Sequence, residues 1–371
     1  MKKAIVFISV FLIFIGTAAH ADDYISEQAD AAGIDKMEKF YSENVSGFGF
    51  DLEEMIESIY TGSFELSFSG IIKYILQLFT GGIRKNISAA VTLLLIAVLC
   101  GFSGNLNSLG KGGGGAAFYV CFSVICGLCA ALFSHTVERG AAAIALMSDF
   151  VKVTAPVLTT LCMAGGEAGY AAVLPPLLYG ASAVSINAAN AYVIPLSYGA
   201  FSLNAVGALG EGINLSRGIK LMKNFSKWIM TFLMTVFSGV SVICTAAGSA
   251  MNALSGKTVK FAVGSFIPVV GGMLADSMDM VATCTGIVKK AVGAGGMCVI
   301  MLIFLSCAIE LAVQLVLLRC AAAFSALLCS DKIVSLLDGT ADCISIVLAA
   351  LCMCSFLFLV IITIMIGGVM A

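Results

Sequence analysis

KFAVGSFIPVVGGMLADSMD, residues 260–279, is the stretch on which the fold turns. Its apolar part, Phe261 to Leu274, falls short of the roughly 20 residues that cross a bilayer. Gly264, Pro268, Gly271 and Gly272 weaken a helix whose backbone groups hydrocarbon cannot hydrogen-bond, and Asp276 and Asp279 follow at once. Two readings stand. One is a re-entrant or broken helix inside the protein, with these six residues lining or gating an internal path. The other is an ordinary kinked span ending at Asp276. Asp276 and Asp279, three apart, share a helix side and serve more simply to solvate the segment's end than to bind an ion.

Composition sets the class. Among 371 residues, 60% are hydrophobic and only 11% charged, too much apolar surface for one soluble core. The expectation is an all-α polytopic membrane protein of seven to eight spans, with the broken helix near residues 261–274. The formal net charge of -2 conceals an acidic N-terminal part. From Asp22 to Glu65 the acids far outnumber Lys36 and Lys39, whereas the remainder is mildly basic.

The N-terminus reads as a signal peptide: Lys2 and Lys3, an apolar run from Ala4 to Gly16, then Ala19-His20-Ala21 with cleavage after Ala21. The alternative is an uncleaved first membrane helix. The expected organisation is a signal peptide over 1–21, an acidic extracytoplasmic amphipathic-helical head over 22–65, an interfacial helix over 66–82 and a polytopic transmembrane domain over 83–371. In the head, Ile34, Met37, Phe40 and Tyr41 line one helix side, and Leu52, Met55, Ile56, Ile59 and Tyr60 another. Two such helices have too little apolar surface for a core of their own and call for the membrane surface or a partner. The 14 cysteines lie at or beyond Cys100, in or beside apolar segments, where Cys packs as a small hydrophobe.

Spans are expected at Ile87 to Phe102 and Ala116 to Phe133, joined through a tetraglycine turn, with an amphipathic connector from Val137 to Val153. Three more fit between Pro156 and Leu209, interrupted by Pro175, Pro176 and Pro195. Trp228 to Ala247, Met297 to Leu318 and Cys343 to Ile366 follow, with a shorter dip from Cys320 to Cys329. Arg217, Lys220, Lys223 and Lys227 recur on one helix side before Trp228, which marks a cytoplasmic loop and an interfacial anchor.

Two acids, Glu167 and Glu310, fall deep within expected spans, where a carboxylate costs about 2.5–3.5 kcal/mol on insertion scales. Each is a candidate functional group. For Glu310 the structural alternative is an ion pair with Arg319 or with a neighbouring subunit; Glu167, in a glycine-rich bend, is within reach of water. No catalytic set, zinc spacing, phosphate loop or cofactor motif emerges, so neither enzyme activity nor cofactor is expected.

From Gly256 through Asp279, and again from Thr283 through Gly293, the chain resembles the stage III sporulation protein AE family of endospore-forming Firmicutes. The resemblance implies a subunit on the mother-cell side of the channel complex that joins mother cell and forespore, in the outer forespore membrane. It implies as partners the other stage III sporulation A proteins, including a secretion-type ATPase, and indirectly protein Q of the forespore. It also implies support of small-molecule transport and late forespore development. A stand-alone ion-coupled secondary transporter and a membrane scaffold for the extracytoplasmic rings are the alternatives. N-terminal sequencing of the mature protein is expected to start at Asp22; a start at Met1 would make the first apolar run a membrane anchor.

Overall fold

A computed structural model describes residues 34–44, 56, 58, 68–108, 114–209, 215–266, 271–328 and 331–367. Ala21 and Pro268 lie outside the described residues. For Gly264, Gly271, Gly272, Asp276 and Asp279 only the backbone path is described.

Every element among the described residues is helical. They are α1 (Ile34–Asn44), α2 (Phe68–Ser108), α3 (Gly114–Ala164), α4 (Ala168–Ala188), a π-turn (Ala189–Val193), α5 (Ile194–Leu209), α6 (Ser216–Phe266), α7 (Gly271–Leu328) and α8 (Asp331–Gly367). Five of the described helical stretches are long and apolar enough to cross a membrane: Ile72–Gly101, Ala116–Ala164, Ser216–Met251, Ala282–Leu327 and Asp331–Gly367. The protein is thus an all-α membrane protein, with five such helices against the seven to eight spans expected.

The difference has local causes. The Val137 to Val153 stretch is no separate connector but the middle of α3, which runs unbroken for 51 residues, about 77 Å at 1.5 Å per residue. The Cys320 to Cys329 dip is, as far as Leu328, the last turns of α7. Pro175 and Pro176 sit inside α4 without ending it. Before Pro195 the helix widens instead of stopping: the Ile194 N–H donates to the Ala189 carbonyl, five residues back. A ring that clashes with the carbonyl four residues earlier finds room after such a turn.

A true reversal occurs at Gly165-Gly166-Glu167. Gly166 has φ +80°, a left-handed conformation that a side chain would disfavour. The Glu167 N–H reaches the Cys162 carbonyl at 2.9 Å and the Gly166 N–H the Met163 carbonyl at 3.1 Å, the paired bonds of a Schellman cap.

At the centre stands α8, packed against α3, α5, α6 and α7 and buried along Leu336, Leu337, Ile344, Leu351, Cys354, Leu357, Phe358 and Ile361. It runs antiparallel to α7, with Gly296 near Ile362 at one end and Arg319 near Asp342 at the other. It runs parallel to α3, where Gly140 meets Val347 and Cys162 meets Met365. The head helix α1 is seated on the chain's own α3, with Met37 and Tyr41 buried and the Phe40 ring 5.6 Å from that of Phe150. The described cysteines are free thiols, many of them in the core.

Close helix approach depends on glycine at Gly339, where an added methyl would overlap the Asn204 amide; that amide donates to the Leu336 carbonyl at 3.1 Å. Gly339→Ala is expected to lower stability by about 1–3 kcal/mol, the usual cost of overpacking. Gly81→Ala, whose new methyl meets nothing within 4 Å, is expected to be neutral or to gain about 0.5–1 kcal/mol. Thermal unfolding of the detergent-solubilised protein checks the contrast.

Candidate functional site

Charged side chains inside an apolar bundle must find counter-ions, and α7 carries three such ties along its length. The first joins Lys289 to Glu167, Nζ to Oε2 at 2.8 Å. The left-handed turn at Gly166 delivers Glu167 to this position, and Lys289 is only 1% exposed, the most deeply buried cation described. A cavity of about 320 Å³ adjoins the pair, lined by Gly165, Glu167, Thr283, Gly286, Lys289 and Lys290.

The second tie centres on Glu310. Its carboxylate receives Lys85 from α2 at 3.0 Å and Arg139 from α3 at 3.0 Å, so one acid holds three helices. One turn farther along α7, buried Gln314 repeats the connection with neutral groups. Thr136 donates to its Oε1 at 2.6 Å, and its Nε2 donates to Asn86 Oδ1 at 3.2 Å. Beside Glu310 lies a cavity of about 270 Å³ whose walls include Asn44 at the end of α1, Arg139 and Cys307. The triad carries one net positive charge.

The third tie closes the other end of the bundle. Arg319 pairs with Asp338 at 2.6 Å and with Asp342, and Asp342 also accepts Lys223 of α6 at 2.9 Å. The Arg319 partner expected for Glu310 is therefore engaged elsewhere; the cations on Glu310 are Lys85 and Arg139. Of the basic row before Trp228, Lys223 is drawn into this tie. Trp228 itself is exposed and stacked between Phe225 and Phe232, at 5.9 and 5.6 Å.

The spacing of the ties has a physical meaning. Between Lys290 and Glu310, α7 carries 19 uncharged residues, about 28 Å of helix, close to the roughly 30 Å hydrocarbon thickness. Alongside, α4, α8 beyond Asp342 and α6 from Trp228 to Met251 are also uncharged. Other helices at this level do carry charges: Asp149 and Lys152 of α3, paired at 2.8 Å on an exposed surface, the five charged residues Asp35, Lys36, Glu38, Lys39 and Glu43 of α1, which packs on α3 at Phe150, and Lys73 and Arg84 of α2. Glu167, through Lys289, and Glu310 thus mark the two ends of an uncharged stretch of α7.

As for the interrupted segment, α6 ends at Phe266 and α7 opens at Gly271 and Gly272, with Gly264 within the last turns of α6 and Asp276 and Asp279 within the first turns of α7. These residues are not brought to either buried acid by any described contact. Sequence reasoning did not pair the acids with these cations: Arg139 falls in the expected connector Val137 to Val153, and Lys85 and Lys289 carry no reading of their own. A signal existed, since the few acids of an apolar body must pair with its bases across helices. Among the described residues no cluster of three or more metal-ligating side chains forms.

Removing one partner of a buried pair strands the other, typically at about 3–5 kcal/mol. Glu167→Gln is expected to destabilise by that amount because the Lys289 ammonium has no exposed route. Adding Lys289→Met should recover most of the loss. Glu310→Gln should cost about 1 kcal/mol, since half-exposed Lys85 and Arg139 can turn to solvent. Unfolding midpoints in detergent decide; equal losses at both acids would contradict the assignment of Glu167–Lys289 as the buried tie.

The comparisons with known proteins agree with this architecture. A family model described as Stage III sporulation protein AE matches residues 50–368. Stage III sporulation protein AE of Bacillus subtilis (strain 168) is 23% identical over 356 residues, covering 94% of this chain and 89% of that protein. No solved structure matches. With the family's pattern running through nearly all of its helical body, this chain belongs to the stage III sporulation protein AE family.

Proposed function

We propose that the chain is a non-enzymatic membrane subunit of the complex joining mother cell and forespore, where it supports passage of small molecules and late forespore development. The family match over residues 50–368 carries this reading. The partners are the other stage III sporulation A proteins, including a secretion-type ATPase, with protein Q reached indirectly from the forespore side. The chain sits in the outer forespore membrane with its mature N-terminus extracytoplasmic and the Arg217 to Lys227 row in the mother-cell cytoplasm.

In the finer form of the proposal the chain crosses seven or eight times, and the junction of α6 and α7 turns back within the protein. There Gly264, Pro268, Gly271, Gly272, Asp276 and Asp279 border or gate the path. The ion ties weigh against a stand-alone proton-coupled transporter. A carboxylate that carries protons through a cycle must be released, and Glu310 is gripped by two cations while Glu167 holds a buried lysine. Those same ties suit a subunit that keeps its helices fixed while other components move.

The test is replacement in sporulating cells. Deletion of the gene is expected to abolish heat-resistant spores and delivery of a small fluorescent solute to the engulfed forespore. Pro268→Leu and Gly271→Leu are expected to do the same while the protein accumulates normally. Normal spores after deletion would refute membership in the sporulation apparatus; normal spores from the two leucine variants would refute the path.

A further inference from the structure

One large cavity belongs to none of the ion ties. It is an open groove of about 830 Å³ between α6 and α8. One wall is a row of hydroxyls at helical spacing on α6: Thr231, Thr235, Ser238, Ser241, Thr245 and Ser249. The other wall is apolar, from Phe356, Val360 and Ile364 of α8. From Thr231 to Ser249 the row runs about 27 Å, close to the thickness of the hydrocarbon. It lies at the level of the uncharged stretch of α7 described above.

Most of these hydroxyls ask nothing of an occupant. Thr231 donates to the Lys227 carbonyl, Thr235 to Thr231, Thr245 to Ser241 and Ser249 to Thr245, each at 2.8–2.9 Å. Internal bonding of this kind satisfies these hydroxyls within their own helix. Ser241 is the exception. It is 6% exposed, and its hydroxyl has no hydrogen-bond partner among the described residues. It stands about 15 Å from the Thr231 end and about 12 Å from the Ser249 end, near mid-depth.

We infer that this groove seats one uncharged transmembrane helix of another subunit, which offers a hydrogen-bonding side chain to Ser241 near the middle of the bilayer. The inference rests on the reading of the chain as part of a larger membrane assembly and names a contact within it. A lipid chain would fill the groove but brings no polar atom to mid-depth, so the Ser241 hydroxyl would gain no partner from it. A water-filled solute path would not need threonines that satisfy themselves against the backbone. A helix meets both demands, because membrane helices associate through small and hydroxyl-bearing surfaces with interhelical hydrogen bonds. The outward apolar row of α2, Ile87, Val91, Leu95 and Leu99, does not supply that helix from a second copy, because it starts at the height of Glu310 and runs away from the level of the groove.

The test places the photoreactive residue p-benzoylphenylalanine at Ser238 or Thr245 of the full-length chain in its sporulating cells, and mass spectrometry reads the crosslinked peptides. Both positions are expected to capture one apolar, uncharged segment of a different polypeptide. Because both helices rise equally, the two capture points should lie about seven residues apart. Crosslinks to lipid alone, to a second copy of this chain, or to unrelated segments at the two depths would overturn the proposal.

Ser241→Leu, which fills the groove, is expected to reduce recovery of the captured partner about ten-fold, while Ser241→Thr keeps it. Undiminished recovery with Ser241→Leu would also overturn it. Where Ser241→Leu fails to accumulate, Thr235→Leu, on an exposed position of the same wall, takes its place under the same criterion. Lipid-only crosslinks in cells that still need the chain to sporulate would end this inference and leave the proposed function standing.

Discussion

A charge held in an apolar bundle must meet an opposite charge within reach, and that constraint organises this protein around α7. Lys289, Glu310 and Arg319 each recruit partners from other helices, so α2, α3, α6 and α8, with the turn before α4, are all fastened to one rod. Apolar packing alone would leave helices free to slide, since side chains of similar shape recur at every turn. An ion pair has one address. Glu310 with Lys85 and Arg139 sets the register of three helices, and Gln314 with Thr136 and Asn86 repeats that register one turn on.

The same constraint spaces the ties along α7. Desolvation drives ionised groups to the edges of hydrocarbon, and on α7 the first and second ties are separated by one bilayer's worth of uncharged helix. The helices nevertheless exceed that thickness: α7 alone has 58 residues, about 87 Å. The α2–α3 hairpin continues past the Glu310 level with apolar side chains such as Leu95, Leu99 and Val120 exposed. A chain that carries so much apolar surface beyond a single hydrocarbon layer is shaped for company, tilt or both.

Much of this was legible in the sequence and some was not, for identifiable reasons. Class and helicity follow from composition, because only helices satisfy their own backbone through long uncharged runs. The bend at Glu167 was readable from its paired glycines, one of which takes the positive φ. Proline misled: Pro175, Pro176 and Pro195 were expected to cut the chain into spans, but local adjustments and a π-turn carried the helix through. The ties were half visible. A lone acid in an apolar tract announces a need for a partner, yet nothing local says that the partner of Glu310 lies 225 residues away on α2. Ser241 gave still less signal, since its unmet hydrogen bond depends on a groove that exists only once α8 has packed.

Set side by side, the ties and the groove differ in how completely their own polar groups are answered. On the α7 side, Lys289, Glu310, Gln314 and Arg319 are answered within the chain, while the buried Ser325 hydroxyl near the end of that helix is not. On the α6 side, a hydroxyl stands buried and unanswered in the middle of the cleft. A protein that worked alone would gain by closing that cleft with larger side chains, because Leu or Val at Thr235 or Thr245 would fill it without a buried polar atom to satisfy. Small hydroxyls kept along some 27 Å of an outward face make physical sense where another helix completes the surface. The internal ties then hold that surface in shape until it arrives.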